Sequence, residues 1–186
     1  MPLRITFRIE RVALFLTLIA IACNSRPSAA EEFLPLHLTS TSFSGTIPDR
    51  YASCSGQTGN SPALAWDAPP AATRSFVLLV TDPDAPMGTF THWLLWNLPP
   101  ETRSLPESLP TRPQLASGAR QGRNDFGNLG YGGPCPPGHS AHRYVFDLYA
   151  LDANLTLAPG ASRQQVTQAI RGHILATGKL IGHYAR

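Results

Sequence analysis

The chain has 186 residues, with 15 Lys and Arg against 12 Asp and Glu and a formal net charge of +3. Four of those cations (Arg4, Arg8, Arg11, Arg26) and one acid (Glu10) fall in the first thirty residues, which leaves eleven of each sign in the rest. A near-neutral body with a single lysine, Lys179, argues against a nucleic-acid or acidic-membrane surface as partner.

Arg4, Arg8 and Arg11 precede Val12 to Ala22, a stretch of eleven residues that is apolar but for Thr17. It is too short for a bilayer span, which needs about 20 apolar residues, and has the length and flanks of a secretory signal peptide. Two processing sites follow. Ala20-Ile21-Ala22-Cys23 resembles a lipoprotein site in which Cys23 becomes the lipidated first residue, and Ser28-Ala29-Ala30 is a small-x-small cleavage site. The expected organisation is a signal at residues 1–22 (or 1–30), a tether at 23–35 and one domain at 36–186, lying in the periplasm or cell envelope.

Leu36 to Thr41 is a candidate strand. Cys54 then sits in a Ser/Gly/Asn-rich loop, Ser53 to Ser61. Ser75 to Thr81 is a short continuous apolar run, predicting a buried strand that ends at Asp82-Pro83-Asp84-Ala85-Pro86. His92 to Leu98 predicts a second strand, closed by Pro99-Pro100, and the Pro-rich stretch to Pro113 reads as a connection within the domain. Cys135 lies in a Gly/Pro-rich loop, Gly130 to Gly138. In an exported chain Cys54 and Cys135 are expected to pair; the alternative is two free buried thiols.

Arg143 to Leu151 predicts a third strand. Alternation puts His142, Tyr144, Phe146 and Leu148 on one face and Arg143, Val145, Asp147 and Tyr149 on the other. Arg143, on the opposite face from His142, is expected to form a structural ion pair or to pack its stem on the surface. Ser162 with Gln165 forms a capping-box pattern, and Val166, Ala169, Ile170, His173 and Ile174 follow helical spacing, so a helix is predicted from here toward a stop at Gly178. Lys179 to Tyr184 reads as a closing strand. The fold class expected is mainly β: an antiparallel β-sandwich with one late C-terminal helix.

Asp82, His92, His142 and Tyr144 all fall at the ends of apolar runs, beside stiff Pro/Gly loops. Two imidazoles, a phenol and Gly-rich backbone N–H groups can receive an oxyanion, with Asp82 orienting His92 or sharing a proton with the ligand. The plainer reading makes Asp82 and Asp84 turn caps and His92 a satisfied core histidine. The same Asp/His set could also serve a hydrolase or a two-His, one-carboxylate metal enzyme, but no G-x-S-x-G elbow or zinc spacing is present. No cofactor is expected.

These segments carry a resemblance. Asp82-Pro83-Asp84-Ala85-Pro86, His92, Gly133-Pro134-Cys135-Pro136-Pro137 and His142-Arg143-Tyr144 resemble the signature segments of the phosphatidylethanolamine-binding protein family, also called Raf-kinase-inhibitor-like proteins. Asn60 to Trp66 and Gln121-Gly122-Arg123-Asn124-Asp125-Phe126-Gly127 resemble its bacterial YbhB/YbcL-type branch. The resemblance implies a β-sandwich with a small surface pocket for phosphate or phosphorylated head groups, and no enzymatic activity. Its lining by resemblance is Asp82, His92, His142 and Tyr144, with Asp84 and Pro86 on one rim and Pro136 on the other. It also implies a possible protein partner, here in the envelope or in a host. Only Gly138 to Ala141 separate Pro137 from His142, one residue fewer than in many relatives.

Overall fold

A computed structural model describes residues 33–54 and 59–186. The signal segment, Cys23 and most of the tether lie outside the described residues. Among these residues, nine strands and one α-helix follow in order, with a single 3-10 turn at Asp49–Tyr51: β1 (Leu34–Pro35), β2 (Leu38–Thr39), β3 (Leu64–Trp66), β4 (Ser75–Asp82), β5 (Phe90–Leu98), β6 (Ser104–Leu105), β7 (Arg120–Gln121), β8 (His142–Leu151), α1 (Arg163–Ala169) and β9 (Ile174–Tyr184).

Six strands form one sheet in the order β1-β9-β8-β4-β5-β7, and three short ones form a second, β2-β3-β6. All pairings between strands are antiparallel except β1 with β9. The expected strand at Leu36 to Thr41 shrinks to β2, which joins the small sheet, while β1 lies just ahead of it, at the end of the expected tether, and joins the large sheet. At one end of β9, Ala176 pairs with Leu34 of β1; at the other, Tyr184 pairs with His142 of β8.

The continuous apolar run of β4 is explained by cover on both faces. Phe76, Leu78 and Val80 pack toward Leu38, Leu64 and Trp66 of the small sheet, with Tyr144, Phe146 and Leu148 of β8 beside them. Val77 and Leu79 point the other way and join Leu94, Trp96, Val166 and Ile170. The second face is the reason for α1: Val166 is fully buried, and that burial holds the helix on the sheet.

The capping box at Ser162 and Gln165 forms as the pattern predicts. The helix, however, ends at Ala169, well before the predicted stop at Gly178. Gly172, at φ 77°, turns the chain, and Ile174 onward is strand, with Leu151 paired to Ile174. Gly178 lies inside β9, where a Cβ would come within 2.8 Å of the Leu36 carbonyl oxygen. That glycine admits the crossing chain and does not end a helix.

Candidate functional site

The large sheet ends at one corner in four polar side chains. Asp82 is the last residue of β4, on the face that carries Phe76, Leu78 and Val80. His142 and Tyr144 open β8 on the same face, adjacent to Asp82 through the β4–β8 register. His92 reaches this corner by a bulge: the pairing of β4 with β5 passes from Val80↔Trp93 to Thr81↔Thr91, which leaves His92 as the extra residue. A bulge re-aims the side chain that strict alternation would send elsewhere.

Each group is fixed by a specific partner. Asp82 uses both carboxylate oxygens: Oδ1 accepts the Asp84 N–H at 2.8 Å, and Oδ2 lies 2.7 Å from His142 Nδ1, so the histidine it holds is His142 and not the expected His92. His92 and Gly132 bond twice, Gly132 N–H to the His92 carbonyl at 2.9 Å and His92 Nδ1 to the Gly132 carbonyl at 2.7 Å. A carbonyl can only accept, so Nδ1 carries the hydrogen. Burial holds the His92 pKa below its ordinary value, against the opposing pull of that carbonyl and of Asp82. The ring is therefore neutral at physiological pH and its Nε2 is a lone-pair acceptor.

Tyr144 Oη is buried and has no hydrogen-bond partner among the described residues, although the Cys135 backbone N–H lies near enough to act on it. Burial, reinforced by the Asp82 charge, raises the Tyr144 pKa far above the usual phenol range, so it is a donor. The ring of His92 stands edge-on to Tyr144, with centroids 5.0 Å apart.

The Gly/Pro loop forms the opposite wall and is zipped to the chain around Tyr51. Gly133 N–H donates to Ser53 Oγ at 2.7 Å, Ser53 N–H to the Pro134 carbonyl at 2.9 Å, and Tyr131 Oη–H to the Tyr51 carbonyl at 2.9 Å. The Cys54–Cys135 disulfide closes the same seam, with Cα atoms 5.2 Å apart. Gly133 is obligatory here, because a Cβ would meet the Tyr51 carbonyl oxygen at 2.1 Å.

These walls enclose a cavity of about 230 Å³ whose polar floor is Asp82, His92 and Tyr144. Its rim is apolar: Pro86, Met87, Phe90, Phe126, Pro136 and Pro137. Of the residues singled out in the sequence, Asp82, His92, Tyr144, Pro86 and Pro136 line the cavity. His142 does not; it sits behind Asp82 and orients it. Asp84 does not either. Its carboxylate is held outside by Arg143, whose Nη2 and Nε donate at 2.6 and 2.9 Å. That pairing holds the Asp84 pKa well below the usual carboxylate range and locks the Asp82–Pro86 loop to β8.

Phe90, Met87 and Phe126 were missed by sequence reasoning. Phe90 is two residues before His92, and Phe126 lies inside the Gln121–Gly127 motif; either position could have suggested an aromatic wall. Among the described residues no three His, Cys, Asp or Glu side chains are arranged to hold a metal ion, and no serine lines the cavity.

Comparison with known proteins gives a consistent result. A family model described as phosphatidylethanolamine-binding protein matches residues 39–185. A UPF0098 protein of Methanothermobacter thermautotrophicus is 49% identical over 142 residues, covering 76% of this chain and 92% of the relative. YbhB of Escherichia coli is 41% identical over 128 residues, covering 67% and 81%. Among solved structures, Escherichia coli YbcL aligns with a TM-score of 0.74 at 33% identity, covering 81% of this chain and 98% of that one. CT736 of Chlamydia trachomatis aligns with a TM-score of 0.72 at 38% identity, covering 82% and 98%.

Proposed function

The chain belongs to the phosphatidylethanolamine-binding protein family, and from that membership we propose that it is an exported binding protein, without catalytic activity of its own, whose cavity takes phosphate or a phosphorylated head group. The observation that carries this reading is the pair of groups on the floor: Tyr144 Oη–H, which has no partner among the described residues, and the His92 ring, whose Nδ1 proton is committed to Gly132 so that Nε2 is left as the acceptor. They are one donor and one acceptor, held rigidly above a carboxylate that is already engaged.

That polarity selects the ligand's protonation state. A phosphate oxygen accepts from Tyr144, and a phosphate O–H donates to His92 Nε2. The monoanion of a phosphomonoester, whose second pKa is about 6, meets both needs; the dianion meets only one and faces Asp82. The apolar rim fits the hydrocarbon part of an ester. Export is supported by the N-terminal signal pattern and by a disulfide that persists in oxidising compartments. Cys23 remains the proposed lipidation site, an anchor that intact-mass measurement on native material checks.

Phosphorus-NMR or calorimetric titration at two pH values tests the cavity. Binding is expected in the high-micromolar to millimolar range, about 4–6 kcal/mol, and tighter at the lower pH. His92→Ala weakens it directly, and His142→Ala weakens it through loss of Asp82 positioning. Arg143→Ala leaves it unchanged within a factor of about 2. Equal binding by wild type and a His92/His142 double variant would overturn the reading.

A further inference from the structure

The Gln121–Gly127 motif has no part in the floor of the cavity, yet it builds something definite beside it. Asn124 organises the loop: its Oδ1 accepts the N–H groups of Phe126 and Asn128, each at 3.1 Å, and its Nδ2 donates to the Gly130 carbonyl at 3.0 Å. Asp125 ties the loop to β5, with Oδ2 accepting the Thr91 N–H at 2.6 Å and its own N–H donating to the Thr91 carbonyl at 2.9 Å. The backbone of this loop is thereby fixed.

Two side chains project from it. Phe126 is 45% exposed, although it is large and apolar, and stands edge-on to Phe90 and to His92 at centroid distances of 4.8 and 5.5 Å. Its ring lies on Gly132, where a Cβ would come within 2.6 Å of it. Arg123 is exposed, donates to the Gly127 carbonyl, and has no acidic partner within ion-pair distance among the described residues.

Beyond Phe126 lies a second, larger concavity of about 700 Å³, lined by Arg123, Asn128, Ser53 and Thr111 among others. Phe126 is a wall of both cavities. The two differ in charge: the inner one holds a carboxylate and no cation, and the outer one holds an unpaired guanidinium.

We propose that the two cavities are inner and outer compartments of one site divided by the Phe126 ring, and that its ligands carry a second anionic group, on a short carbon chain, that pairs with Arg123. The proposal rests on the phosphate reading of the inner cavity. Because the loop backbone is pinned, the half-exposed Phe126 ring is the part that has to turn for the compartments to join. Guanidinium is suited to the outer anion because it pairs with phosphate or carboxylate through two parallel hydrogen bonds.

The test uses α,ω-alkanediol bisphosphates of graded chain length, with inorganic phosphate as reference, titrated against the mature protein and followed by calorimetry and backbone NMR. At the best length the bisphosphate is expected to bind at least about tenfold more tightly than phosphate, with shifts at both His92 and Arg123. Arg123→Ala returns it to the phosphate value without altering phosphate binding, Arg123→Lys restores part of the gain, and Phe126→Ala flattens the length dependence. If phosphate binds at His92 but no bisphosphate exceeds it, or if Arg123→Ala changes nothing, the two-compartment proposal is wrong while the inner-cavity reading stands. If phosphate leaves His92 and Tyr144 unmoved, the inner-cavity reading fails, and a bisphosphate that then shifts Arg123 alone overturns the proposal with it.

Discussion

His92 has an unusual position for a histidine that lines a cavity, because its proton is already committed to a carbonyl on the far side of the ring. Its depressed pKa makes a stability prediction. The unfolded chain takes up a proton at about pH 6.5, but the folded chain does so only lower, so between those two values the unfolded state holds more protons. His92 therefore costs stability as pH falls through that window and not above it. Urea midpoints measured across it should drop more steeply for wild type than for His92→Gln. Asp84 acts on a separate, more acidic range. Arg143 lowers its pKa, so the pairing is present above the ordinary carboxylate value and is lost on acidification. In Arg143→Ala, NMR titration should find the Asp84 carboxyl back in the ordinary range, with the Asp82–Pro86 loop exchanging faster and the floor intact. The four polar residues of this corner could be read from the sequence because each ends an apolar run. Their order of duty could not. Only side-chain geometry distinguishes Tyr144, which reaches the cavity, from His142, which supports it two residues earlier on the same face.

At the level of elements, the strands that read clearly were β4 and β5, whose long apolar runs are buried on both faces, and β8, whose alternation separates a buried face from a partly exposed one. The first half of β9 was masked by chance periodicity. His173 and Ile174 continue the spacing of α1, but Gly172 has already turned the chain, and pairing with β8 outweighs a helical pattern of four or five residues. The bulge at His92 left no mark either, since register is a property of two strands and not of one. Two glycines give a matched test of what such positions require. Gly172→Ala meets no atoms and has only its positive φ to accommodate, so a loss of about 1–2 kcal/mol is expected. Gly133→Ala drives a Cβ into the Tyr51 carbonyl and should cost about 3 kcal/mol or more, or prevent folding. Denaturant melts of the pair check the order. Comparable losses in both would mean that the seam between the Gly/Pro loop and Tyr51 is looser than these contacts require.

Across the whole molecule, the disulfide joins residues 81 apart and ties the cavity wall to the edge of the core. Chain entropy assigns such a closure about 4 kcal/mol. Reduction under native conditions should lower the melting temperature and weaken phosphate binding together, because Cys135 and Pro136 are wall residues. A drop in melting temperature alone would separate the clamp from the site. The antiparallel ladder of β8 and β9 has a consequence of another kind. Ala176, the partner of Leu34, and Tyr184, the partner of His142, are eight residues apart on one strand, or about 27 Å. The two ends of the described domain thus leave it at opposite poles. The Arg186 carbonyl lies 3.5 Å from His139 Nδ1, on the turn that leads into the cavity corner. A biosensor chip loaded through a tag ahead of Leu34 should present the cavity to the flowing solution and keep its full binding capacity, and a tag after Arg186 should crowd it. For anyone preparing the protein for ligand screening, the choice of handle is therefore set by which end of β9 it occupies.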